Sequence, residues 1–161
     1  MRFLRLLVIP LVALLVLATA AAATGPGGSV AGYYTYLANN NPAAPRTLAV
    51  ASGDWFANAT WTRIDTATGE ILRSGQVTCL VIDGDDAWMA GPETYRAPGL
   101  VQAAGSFLYV HGPRPGSADD SAVTWFGDPG QPLTEMLGWC RDKATHVPLF
   151  PLISGDVDVF P

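Results

Sequence analysis

The sequence predicts an all-β protein, a small antiparallel β-barrel or sandwich of about seven to eight strands with one internal disulfide. Three observations predict it. Short apolar segments, several alternating in polarity with period two, follow one another between clusters of Gly, Pro, Asp and Asn. No stretch of the mature chain sustains a long helical period. Two cysteines, Cys79 and Cys140, stand far apart behind an export signal, and pairing is their simplest fate in an oxidising compartment.

The signal comes first. A basic start with Arg2 and Arg5, an apolar run over 6–17 and small residues over 18–23 make residues 1–23 a secretory signal peptide. The apolar run is too short for a permanent span, so no stable membrane span is expected after cleavage. Residues 24–46 read as a flexible leader, rich in Gly, Pro and Asn. The tyrosine cluster Tyr33, Tyr34 and Tyr36 inside it offers docking as an extra strand as the alternative.

The single β domain is expected over 47–161. Residues 48–51 form a short apolar strand, and 55–64 a longer one with Trp55, Ala57, Ala59 and Trp61 on one face. Residues 65–70 carry Thr-Gly and make a hairpin connection. The next strand covers 71–83, bent at Gly75, with Val77, Cys79 and Val81 sharing a face. Asp83-Gly84-Asp85-Asp86 is a tight turn, and 87–90 pairs back across it. Strands at 99–111 and 121–126 flank a polar loop over 112–120. Residues 131–140 read as loop with a marginal helical turn, because the Leu133, Met136, Leu137 spacing is short-lived. Residues 152–160 close the domain, with Val157 and Val159 alternating against Asp156 and Asp158.

Composition narrows the function classes. The net charge is -5 with one lysine, Lys143, which argues against nucleic acid and anionic surfaces as ordinary partners. A Cys79–Cys140 bridge is a structural staple rather than a redox pair, since no Cys-x-x-Cys spacing exists. No nucleophile-elbow or zinc-protease motif occurs, and the acids Asp83, Asp85 and Asp86 lack the remainder of a calcium loop. Asp119 and Asp120 read as a solvated pair. No catalytic residue, metal ligand or cofactor is therefore assigned. Trp61 and Trp125 are expected in the core, whereas Trp55, Trp88 and Tyr109 are the candidate ligand-binding residues, being aromatic groups placed to reach a rim.

The run from Ser74 to Gly91, with Gly75-Gln76-Val77-Thr78-Cys79 leading into Gly84-Asp85-Asp86-Ala87, resembles a pattern in exported bacterial β proteins. Phe107-Leu108-Tyr109-Val110, the Asp119–Asp120 pair, Cys140 and the closing stretch 151–159 extend the likeness. The group is a loosely defined, mostly uncharacterised set of actinobacterial-type antiparallel β proteins. The resemblance implies an antiparallel barrel or sandwich outside the cytoplasm and carries no catalytic residue with it. Eight arginines against one lysine agree with a high-GC source.

These readings converge on a secreted or envelope-associated, non-enzymatic β domain acting as a binding or structural module. It is expected to be monomeric, with an unknown protein or a small apolar ligand as partner. One alternative is a lipocalin-like carrier holding a small apolar ligand in a tryptophan-lined cavity. The other is a secreted hydrolase using His111 or His146, for which Ser106, His111 and Asp119 are the residues a fold would have to assemble.

Overall fold

Side-chain alternation along extended segments decides the architecture. A computed structural model describes residues 28–53, 58–113, 115–144 and 148–161. The expected signal peptide lies outside the described residues, as do Trp55 and His146. Nine strands and one α-helix are described: β1 (Ser29–Leu37), β2 (Pro45–Gly53), β3 (Thr60–Ile64), β4 (Ile71–Gln76), β5 (Cys79–Asp83), β6 (Asp86–Arg96), β7 (Gly105–His111), β8 (Ser121–Phe126), α1 (Leu133–Arg141) and β9 (Phe150–Phe160).

The strands form an antiparallel ring in chain order. Each pairs with its neighbour in sequence except β4 and β5, which both pair with β6, and β9 returns to pair with β1. β5 takes over from β4 along the first half of β6, so nine strands occupy the eight places of an up-and-down barrel. Closure pairs most strand edges; among the described residues the outer edge of β5 and the second half of β8 lack a ladder partner on one side. At the handover, Gly75 lets the two strands come together, because a Cβ there would lie 2.1 Å from the Pro92 carbonyl oxygen and 2.6 Å from the Trp61 ring.

The segment 24–46 is not a flexible leader where it is described. Ser29–Leu37 is β1, a 3-10 turn spans Ala38–Asn40, and β2 begins at Pro45. Val30, Tyr34 and Tyr36 alternate into the core at 0% exposure, while Tyr33 points outward at 59%. This period-two alternation outweighs the surrounding Gly, Pro and Asn. Burying two tyrosine rings offsets much of the ordering entropy that such a composition usually leaves uncompensated.

Other departures from the sequence reading have similar causes. β6 runs through Pro92, since the strand changes partners from β5 to β4 there. The break between β4 and β5 falls at Val77 and Thr78 and switches the inward face. Val77 joins the main core, while Cys79 and Val81 pack outside the ring. Trp125 projects outward from β8 and is 44% exposed, not in the core.

The stretch 131–140, expected as a loop with a marginal helical turn, holds a two-turn helix. Met136 and Cys140 are both fully buried, one turn apart. A helix this short is marginal alone, and its docking on β5, β6 and β7 supplies what propensity does not.

Two apolar clusters result. The main one fills the barrel, with Tyr34, Tyr36, Leu48, Trp61, Met89, Leu108, Val110 and Val157 fully buried. The second lies between the outer face of the sheet and α1, with Trp88, Ala90, Phe107, Met136 and Cys140. Cys79 and Cys140 form the disulfide that pins α1 to β5, with Cα atoms 6.4 Å apart.

Candidate functional site

The predicted ligand-binding pair meets, but not around an enclosed cavity. Trp88 on β6 and Tyr109 on β7 are direct cross-strand partners whose rings stack with centroids 4.9 Å apart. Trp88 is 4% exposed, and its indole N–H donates to the Ala144 carbonyl at 3.2 Å, so the segment after α1 covers it. Phe107 meets Trp139 edge-on in the same cluster, and Trp139 therefore packs beside the staple. The barrel interior is filled by side chains. An open depression of about 410 Å³ lies at one barrel end, lined by Gly28, Ser52, Gly53, Val77, Thr78, Leu80 and Ile82. Neither Trp88 nor Tyr109 is among its described lining residues.

The hydrolase constellation does not assemble from the expected residues. Ser106 points into the barrel and is fully buried, whereas His111 lies on the outer face. His111 Nδ1 is 3.0 Å from Asp86 Oδ1, and Asp86 also bears on the Tyr109 hydroxyl. Burial, reinforced by the Asp86 charge, raises the Tyr109 pKa above its ordinary value. Ser121 is the cross-strand partner of His111, but no hydrogen bond joins them among the described residues. Asp119 sits on the exposed loop, its N–H bonded to Ser117 Oγ.

Asp120 is not solvated. It is 3% exposed, and its Oδ2 accepts the Val157 N–H at 3.3 Å. Oδ1 of Asp120, of Asp156 and of Asp158 are all buried without a donor. Desolvation first, and then the hydrogen bond to Asp156, push the Asp120 carboxyl up to about 6. Asp158 is raised as well, mainly by burial and then by Asp156. No group of three or more His, Cys, Asp or Glu residues placed to hold a metal ion occurs among the described residues.

The opposite barrel end from the depression holds a feature that the sequence reading did not single out. Arg46 near the start of β2, Arg63 near the end of β3 and Arg73 in β4 face inward. Arg63 and Arg73 are direct cross-strand partners, and Arg46 lies diagonal to Arg63, two residues before its partner Leu48. Like charges so placed repel, and they persist only where something compensates.

Arg73 is satisfied: it forms an ion pair with Glu93 and donates to the Val101 carbonyl at 2.6 Å. Both Glu93 oxygens are then occupied, because Oε2 accepts the Ala103 N–H at 2.9 Å. Arg46 donates to the Thr124 carbonyl at 3.0 Å. The Arg63 guanidinium makes no hydrogen bond or ion pair among the described residues and rests 5.3 Å over the Phe126 ring, with Arg73 5.5 Å from that same ring. Burial first, and then the Arg46 charge, lower the Arg63 pKa below its ordinary value. The nearby acid Asp65 is held in its own turn, accepting from the N–H groups of Ala67 and Thr68 and from the Thr68 hydroxyl.

One signal for this mouth was present in the sequence. Arg63 stands two residues after Trp61, on the inward face of the same strand, where a charge is out of place. Its partners could not be read, because they come from strands whose register only the closed ring defines. In comparisons with known proteins, no family model, no curated protein and no solved structure matches this chain.

Proposed function

We propose that this protein is a non-enzymatic binding module, exported from a bacterium and either secreted or held in the envelope, that works through the ends of a rigid barrel. The observation that carries this reading is the filled interior. With Tyr34, Tyr36 and Trp61 fully buried inside the ring, recognition falls to the two mouths and the outer surface rather than to an internal cup. The N-terminal sequence pattern supports export, and a disulfide suits an oxidising compartment. No helix among the described residues is long and apolar enough to cross a membrane.

The test is to recover the protein from culture medium and measure its mass under native conditions alongside its turnover of simple ester and peptide substrates. A monomer with the signal removed, two hydrogens lighter for the disulfide and inactive on the substrate panel, is the expected result. Retention in the cytoplasm, or turnover abolished by His111→Ala, overturns the reading.

A further inference from the structure

We propose that the arginine mouth binds the oxyanion group of a small organic ligand, a carboxylate or phosphate, with Arg63 as the principal contact and Arg46 beside it. This rests on the binding-module reading and names the ligand class for one of its two mouths.

Three observations carry it. The first is a local charge imbalance: three inward guanidiniums meet one inward carboxylate, in a chain whose net charge is -5. Glu93 gives one oxygen to Arg73 and the other to the Ala103 N–H, and it makes no bond to Arg63 or Arg46 among the described residues.

The second is Arg63 itself. Its planar fork presents several donors, and it is part-buried, without a hydrogen-bonding partner among the described residues. Phe126 holds one ring face toward it and so restricts the orientations of the guanidinium. A guanidinium pre-oriented in this way suits bidentate capture of an oxyanion.

The third observation is independent of the arginines. Thr124 Oγ1 is fully buried on an inward position at this same end and has no protein partner; Trp61 Nε1, buried deeper in the barrel, has none either. Thr124 is joined directly to the cluster, since its carbonyl accepts from Arg46 and its N–H donates to the Tyr36 hydroxyl at 2.7 Å. Trp61 packs on Phe126 with centroids 5.5 Å apart. An unmade hydrogen bond of this kind is costly in a native interior, and a polar group of a ligand seated beside Arg46 would satisfy the Thr124 hydroxyl. The aromatic pair offers an apolar floor for the remainder of that ligand.

The experiment is calorimetric titration of the oxidised protein with sodium benzoate and, separately, with inorganic phosphate. Ionic strength is held constant with sodium chloride, and the arginine Nε–H signals are followed by NMR. Saturable binding of either probe, with the Arg63 signal shifting in step, is the expected result. Arg63→Gln should weaken it at least tenfold. Arg63→Lys, which keeps the charge and loses the fork, should weaken it at least threefold and serves in place of Arg63→Gln if circular dichroism shows that variant unfolded. Benzoate binding alone identifies a carboxylate ligand, and phosphate binding alone a phosphate ligand.

Absence of saturable heat for both probes up to about 20 mM, or equal affinity in the folded Arg63 variants, overturns the proposal. Either failure would leave the binding-module reading standing, because that reading is tested by export and by turnover.

Discussion

The carboxyl of Asp120 lies against that of Asp156, and each has one buried oxygen lacking a donor. The pair joins the loop before β8 to the middle of β9, where Asp156 Oδ2 also accepts the Gly116 N–H at 2.8 Å.

The pH dependence follows from the direction of the shift. Asp120 is raised from an ordinary 3.8 to about 6 in the folded protein, so the folded state binds the proton more tightly than the unfolded one. Its stabilising contribution is complete below about pH 4 and is lost as the pH rises through about 6. Asp120→Asn, which supplies a donor without a charge, should raise the melting temperature at pH 7 and flatten its change between pH 4 and 7. A variant whose melting temperature tracks the parent across that range would show that the Asp120 carboxyl is not raised.

The staple closes a loop between residues 61 positions apart. Cys79→Ala with Cys140→Ala should lower stability by about 4 kcal/mol, as loop-closure entropy in the unfolded chain predicts. Urea unfolding of the double variant against the oxidised parent measures it. The loss should be accompanied by earlier exposure of Trp88 and Trp139, which pack where α1 meets the sheet.

Neighbouring tyrosines should behave oppositely. Tyr34→Ala removes a fully buried ring and should cost about 3–5 kcal/mol. Tyr33→Ala, at 59% exposure, should change stability by about 0.5 kcal/mol or less. Chemical denaturation of both variants distinguishes a paired strand from a loose arm, on which the two substitutions would act alike.

Gly75→Ala should be among the most damaging single changes, because its Cβ meets the Pro92 carbonyl and the Trp61 ring at once. Overpacking of this kind costs about 1–3 kcal/mol or more, and the Trp61 environment should change with it. Thermal melts with near-ultraviolet circular dichroism would test both. A parent-like melt and spectrum would mean that the β4–β6 junction yields easily.

The strand-rich class and the disulfide were legible because each depends on local information: turn residues, alternation, and two cysteines behind an export signal. β8 and the alternation of Val157 and Val159 in β9 were readable for the same reason. β1 was obscured because its Gly, Pro and Asn neighbours mimic a linker, although Tyr34 and Tyr36 already stood at strand spacing. α1 was hidden because its stability comes from docking on β5, β6 and β7 and from Cys79, all distant in sequence. The arginine mouth was the least legible feature. Arg46, Arg63 and Arg73 lie on three strands, and Glu93 on a fourth that reaches them only through the closing pair β4–β6.

The pairing of Ser29 with Phe160 brings the two ends of the barrel chain out side by side, beside the open depression and away from the arginines. A tether at either end would therefore hold the barrel by one rim and leave the arginine rim facing away from it. The same adjacency makes the fold a natural candidate for circular permutation. A short linker could join the old ends, and a new start could be opened at an exposed turn such as that around Gly84 without breaking a strand pair.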